Sequence, residues 1–231
     1  MSIFSEKKLN IFIGAYGSGK SEISVNAARI MKEDNPDRKV LLADLDIVNP
    51  FYRSADAAVK MKDLDIRVIC PSFANSNVDV PALSGEMYAI FDDDEYIGVY
   101  DIGGEDLGAN VIGTLTSRLN GFSYNLYMVV NTLRPFTSSP EQIAEMTALL
   151  ESSAKLKITG YINNTNLLDE TSAEDIIEGD RMIREAGKIT GSPLLATTLM
   201  PNIYDKMRSE NILDKLSGEI IRLNQSIKYD Y

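Results

Sequence analysis

Short apolar runs alternate with segments of helical spacing along the whole chain. Leu9–Ile13 is short and almost wholly apolar, which predicts a buried strand. Lys20–Asp34 sets Ile23, Ala27, Ile30 and Met31 at helical intervals, and Pro36 and Asp37 close that helix. Lys39–Leu45 and Ile66–Ile69 predict strands on either side of a short helix over Ala55–Lys62. A long polar loop, Pro71–Pro81, leads into a helix over about 82–91. Tyr96–Ile102, Asn125–Val130, Ile158–Ile162 and Leu194–Leu199 predict further strands. Between them lie helices over about 107–119, from Pro140 to about Leu150, and from a Ser172 cap to about Ile189. Proline is tolerated in a first helical turn because the N–H it lacks has no helical partner there. The last stretch, about 204–227, predicts a C-terminal helix with a break near Gly218.

Strands alternating with helices, several of them nearly all apolar, predict an α/β fold: a mostly parallel, doubly wound sheet covered on both faces. No repeat, linker or low-complexity tract divides the chain, so it reads as one domain over residues 1–231. Composition agrees, with 44% hydrophobic and 25% charged residues. The net charge of -11 argues against nucleic acid as a partner, because such binding needs clustered cations. The single cysteine, Cys70, and the absence of histidine remove the usual zinc and iron–sulfur ligand sets. Cys70 reads as a small buried residue ending a strand. Any general base must be a carboxylate, Lys, Tyr or water. The polar start, Met1–Asn10, and the lack of any run of about 20 apolar residues predict a cytoplasmic protein that does not cross a membrane.

Gly14-Ala15-Tyr16-Gly17-Ser18-Gly19-Lys20-Ser21 fits the phosphate-loop pattern G-x-x-x-x-G-K-[ST], with a strand before it and an amphipathic helix after. Gly14, Gly17, Ser18 and Gly19 let the backbone curl so that several N–H groups converge on one phosphate. The helix behind adds its N-terminal donors and dipole, with Glu22 in its first turn. Lys20 sets a cation on the β- and γ-phosphates, and the Ser21 hydroxyl suits magnesium. Two later strands end in acids, at Asp44-Leu45-Asp46 and at Asp101-Ile102-Gly103-Gly104. Ligands sit at the C-terminal ends of parallel strands, and an apolar strand ending in Asp is the Walker-B pattern. Asp101-x-x-Gly104 also matches a switch loop whose glycine N–H senses the γ-phosphate. An Asp at a strand end also serves as a turn former or helix cap.

In this order, with Asn49-Pro50 after the first acidic pair, the motifs resemble the MinD/ParA/Mrp class of P-loop ATPases, and the resemblance spans most of the chain. That class also includes the nitrogenase iron protein and the arsenite and tail-anchored-protein targeting ATPases. Asn125–Asn131 followed by Thr132-Leu133-Arg134-Pro135, then Tyr161-Ile162-Asn163 and Leu199-Met200-Pro201, are similar to further elements of the class. The resemblance implies ATP and Mg2+ as cofactors. It implies Lys20 and the loop amides on the phosphates, and Asp46 orienting the attacking water. Ser21, Asp44 and Asp101 would hold magnesium, and Asn163 and Pro201 would line the base pocket. Asn163 reads equally well as a strand-end turn residue. Dimerising members carry a second lysine just after the first glycine of the loop. Here that position is Ala15, so a dimer stapled by that lysine is not expected, while another dimer surface stays open. The run Asn163-Asn164-Thr165-Asn166 lacks the Lys and Asp that read guanine, which favours ATP over GTP.

The implied function is a Mg-dependent ATPase switch or assembly factor acting on a protein partner, slow without it. The loops around Asp46–Arg53 and Gly103–Gly108 would order with the nucleotide. A small-molecule kinase or ATP-dependent ligase of dethiobiotin-synthetase type is the alternative, with Pro71–Pro81 as its substrate lid. A nucleotide-binding module without catalysis is the third reading. Arg53, Arg118 and Arg134 are candidates for phosphate or partner contact, set against the reading of each as a surface arginine. Residues Ile220–Tyr231 lack the basic amphipathic pattern that binds anionic lipid, which argues against membrane cycling.

Overall fold

The computed structural model describes residues 1–45, 58–69, 85–103 and 106–224, with no side-chain description at 58–60, 106–111 and 114. Asp46, Asn49, Pro50, Arg53, Cys70, the Pro71–Pro81 loop, Gly104 and the terminal residues 225–231 lie outside the described residues.

The chain runs β1 (Leu9–Ile13), α1 (Lys20–Asp34), β2 (Lys39–Leu45), α2 (Ala58–Asp63), β3 (Ile66–Ile69), α3 (Ala89–Asp92) and β4 (Tyr96–Ile102). It continues α4 (Asp106–Leu119), β5 (Tyr124–Val130), α5 (Pro140–Ala154), β6 (Gly160–Asn163), α6 (Ala173–Thr190), β7 (Leu194–Leu199), α7 (Pro201–Ser209) and β8 (Glu219–Arg222). The strands form one sheet of eight in the order β3-β2-β4-β1-β5-β6-β7-β8, every pair parallel. Parallel neighbours need crossovers, and right-handed crossovers put helices on opposite faces when the chain runs outward in opposite directions. Thus α1 and α2, on the way to β2 and β3, share one face with Phe12, Leu42, Val99, Tyr127 and Val129. On the other face α4, α5 and α6 pack over Ile11, Ile13, Tyr100, Met128 and Tyr161. From β1 the chain leaves toward β2, and from β4 it crosses over to β5, so the C-terminal end of β1 is a switch point where a cleft opens.

Local signals explain most boundaries. Ser172 caps α6 in a reciprocal box with Asp175, and Gly191 ends it in the left-handed region at φ 83°. Ser139 caps α5, with Pro140 in the first turn. The helix expected over about 82–91 is instead a 3-10 turn at Gly85–Tyr88 followed by the single turn of α3.

The C-terminal helix expected over about 204–227 is corrected by the structure. Helix α7 stops at Ser209, and the chain returns as β8 on the sheet edge. Gly218 makes that return at φ 74°, where a Cβ would stand 2.3 Å from the Leu195 carbonyl oxygen. Asp180 on α6 is fully buried and fixes the approach, accepting from Ser217 N (2.7 Å), Ser217 Oγ (3.3 Å) and Arg184 Nε (2.7 Å). The N-terminal segment meets the same edge, where Ile3 N donates to Glu219 Oε2 at 2.7 Å. Asp180→Ala removes the acceptor of the part-buried Ser217 N–H and of one Arg184 donor. Chemical denaturation is expected to show a loss of about 2 kcal/mol, and a loss within measurement error contradicts this anchoring role. Among the described residues no helix is long and apolar enough to cross a membrane.

Candidate functional site: a phosphate loop at the switch point

The loop from Gly14 to Gly19 leaves β1 at the centre of the sheet. A Cβ on Gly14 would stand 2.3 Å from the Val129 carbonyl oxygen on β5, so only glycine lets the loop start this close to the strand. At Gly19, with φ 87°, a Cβ would stand 2.2 Å from Asn164 Nδ2. Between them Ser18 N donates to the Ala15 carbonyl at 3.2 Å, so the loop folds on itself before α1 begins. Lys20 is the first residue of α1, buried, with Nζ donating to the Ala15 carbonyl at 3.2 Å. The amides that open a helix have no helical acceptor and carry the positive end of its dipole, which suits an anion. Ser18 Oγ lies across the loop, 3.1 Å from where a Gly14 Cβ would be, and is buried without a hydrogen-bond partner among the described residues. A buried hydroxyl without a partner costs about 1–3 kcal/mol, so a polar group in this cradle would offset a real penalty.

Ser21, half-buried, follows Lys20. Glu22 is buried, and Asn26 Nδ2 donates to its Oε1 at 3.1 Å and to its carbonyl at 2.9 Å. Asn26 also bonds Asn224 in both directions, which ties α1 to the segment after β8.

Asp44 and Asp101 are the penultimate residues of β2 and β4, both fully buried, and they are directly paired in register. Side chains alternate along strands. The two acids therefore share a face with Leu42 and Val99, which is the face covered by α1. Neighbouring strands lie about 4.8 Å apart. Two carboxylates this close repel each other, and a cation between them would offset that repulsion. Oxygen donors of this kind suit magnesium, which is held by one or two carboxylates together with phosphate oxygens rather than by a full protein cage. Among the described residues there is no group of three or more His, Cys, Asp or Glu that could hold a metal ion.

At the end of β6 two adjacent asparagines separate. Asn163 Nδ2 donates to the Ile176 carbonyl of α6 at 3.3 Å, and its Oδ1 accepts from Thr165 N at 3.0 Å, so its side chain is engaged on the α6 side. Asn164 is the one that reaches the phosphate loop. Its Nδ2 donates to the Ser18 carbonyl at 2.7 Å, and its Oδ1 accepts from Thr198 Oγ1 at 2.8 Å. The sequence gives no signal that separates the two, because β6 ends at Asn163 and the direction of Asn164, just past the strand, does not follow from alternation. Pro201 opens α7, half-buried.

The turn after β5 brings a further residue to the loop. The Asn131 side chain bonds the Asn166 backbone twice, Nδ2 donating to the carbonyl at 2.8 Å and Oδ1 accepting from N at 3.3 Å, and the Thr132 and Thr165 hydroxyls lie 2.9 Å apart. Arg134 in that turn packs on the phosphate loop: a Cβ on Gly17 would stand 3.4 Å from its Nε and 3.7 Å from its Cζ. Arg118 belongs elsewhere, in an exposed ion pair with Asp92 at 2.9 Å, its guanidinium over the Tyr88 ring.

No protein-family model matches this chain, and no curated protein matches it. Among solved structures it is similar to the signal recognition particle receptor FtsY from Elizabethkingia anophelis in complex with GDP. That match has a TM-score of 0.52 and 13% identity, over 82% of this chain and 56% of that one. It is also similar to FtsY from Mycoplasma mycoides, with a TM-score of 0.51 and 16% identity, over 84% of this chain and 60% of that one. The likeness shows a shared α/β fold, one parallel sheet flanked by helices. The likeness extends to the architecture of the sheet and its helices, and the chain spans 56–60% of the length of these two structures.

Proposed function

We propose that this chain is a magnesium-dependent P-loop nucleotidase of the MinD/ParA type that binds and hydrolyses ATP and uses the nucleotide state to regulate a protein partner. The observation that carries it is the meeting, at one switch point, of a glycine cradle, a buried Lys20 and an in-register pair of buried acids on the face of α1. A charged phosphate tail between them would give all three parts one use. The loop amides and Lys20 would take the β- and γ-phosphates. Ser21 and Asp101 would hold magnesium, with Asp44 supporting its shell. Magnesium, when bound, neutralises the charge that develops on the phosphates. Asp46, two residues beyond Asp44, keeps the role the family resemblance implies, orienting the attacking water. Pro201 and Gly104 keep their places at the base and at the γ-phosphate on the same ground.

Asn164, rather than Asn163, is here the residue that ties the base side of the site to the phosphate loop, through the Ser18 carbonyl. Ala15 is buried in the loop and carries no charge, so the dimer, if formed, does not use a lysine at this position. GTP is the second reading, favoured by the FtsY structure solved with GDP. The absence of Lys and Asp from Asn163–Asn166 weighs the other way. Titration calorimetry with Mg–ATP and Mg–GTP decides between them. ATP is expected to bind at least tenfold tighter. Tighter GTP reverses the base assignment, and heat from neither nucleotide overturns the proposal as a whole.

A further inference from the structure

Among the described residues, the turn Asn131–Thr137 is more heavily cross-bonded than its position on the surface requires. Asn131 Oδ1 accepts from Leu133 N at 3.1 Å, and its carbonyl accepts from Arg134 N at 3.2 Å and Thr137 Oγ1 at 2.8 Å. Thr137 N donates to the Arg134 carbonyl at 3.3 Å. Phe136 stands at φ 70°, an unfavourable conformation for a bulky side chain, and is 70% exposed, so no packing of its own ring explains the turn. What the turn fixes is Arg134. Its neighbours tie it to β6 through Asn166 and Thr165, the same segment that holds the phosphate loop through Asn164.

The guanidinium itself is unusual in this acidic chain. Among the described residues it makes no ion pair, and Nε is buried with no hydrogen-bond partner. A guanidinium is never neutral in a protein, so this charge is partly desolvated and uncompensated. It rests against Gly17, the one point of the loop where the missing side chain and φ 73° leave room for it. A planar cation held against Gly17, three residues before the buried Lys20, is arranged to meet a polyanion.

We propose that Arg134 is a second phosphate cation of this site, supplied within the chain by the β5–α5 turn, and that it donates to non-bridging oxygens of the nucleotide's phosphate tail. The proposal rests on the nucleotide reading above. It adds that the loop takes its second positive charge from across the cleft rather than from within the loop sequence.

The test compares wild type, Arg134→Ala and Arg134→Lys by calorimetry against Mg–ATP, Mg–ADP and AMP, and against the guanine series. A charge-assisted contact of this type is worth about tenfold or more in affinity. The loss in Arg134→Ala is expected to be largest for the triphosphate, smaller for the diphosphate and slight for the monophosphate. Arg134→Lys is expected to recover part of it, since a point charge replaces the fork. A loss that is equal for all three nucleotides, with a lowered melting temperature, marks a structural prop and overturns the assignment. Unchanged affinities in Arg134→Ala overturn it as well, while wild-type protein that binds no nucleotide overturns the parent reading instead.

Discussion

Lys20→Ala is expected to lose nucleotide binding by about 100-fold or more while unfolding at nearly the wild-type temperature. The reasons for the two halves differ. Lys20 is buried at the first position of α1, and its Nζ donates to the Ala15 carbonyl at 3.2 Å. Its removal would take away the cation that the proposal sets on the phosphates, and truncating one partner of a buried charge contact costs about 2–5 kcal/mol. The fold loses little, because a buried ammonium carries its own desolvation cost and alanine is the best helix former. Calorimetry with Mg–ATP against a thermal melt of the apo protein checks both halves. Undiminished affinity removes Lys20 from the site. A collapsed melting temperature shows that the lysine is structural.

The second large effect is expected at the paired acids. Asp101→Asn keeps the shape of the side chain and removes its charge from a fully buried position opposite Asp44. If the pair holds magnesium, the gain in ATP affinity on adding Mg2+ to a chelator-treated sample is expected to fall about tenfold in Asp101→Asn, and by less in Asp44→Asn. The affinity for ATP without metal is expected to hold or rise, since one negative charge near the phosphates is gone. A magnesium gain equal to that of wild type in both variants would falsify the metal assignment. An equal loss with and without metal points instead to a fold defect.

The alternation of apolar runs and helical spacing was enough to place β1, α1, β2, β3, β4 and β7 at the bounds the structure has. Except for β3, a four-residue edge strand marked by its apolar Ile66, Val68 and Ile69, these elements are buried on both faces or amphipathic, so burial writes itself into the residue pattern. The C-terminal segment was misread for the opposite reason. Residues 219–222 form an edge strand, paired on one side only, and a four-residue edge has too little apolar content to outvote the helical spacing around it. Its place depends on Gly218, Asp180 and the N-terminal Ile3, which come from three distant parts of the chain.

The site divides in the same way. The sequence by itself determined the cradle, because Gly14, Gly19, Lys20 and Ser21 are consecutive or nearly so, and a phosphate loop is a local structure whose chemistry depends on fixed spacing. It also determined that acids would end β2 and β4. Only the tertiary structure decided that Asp44 and Asp101 stand side by side on the face of α1, because strand order and register are set by crossovers and packing rather than by spacing. Only the tertiary structure chose Asn164 over Asn163 at the phosphate loop, since Asn164 lies one residue past the end of β6, where alternation no longer sets side-chain direction. And only the tertiary structure brought Arg134 onto Gly17. Those residues are far apart in sequence, on loops after adjacent strands, and meet because parallel strands present all their C-terminal loops at one edge of the sheet.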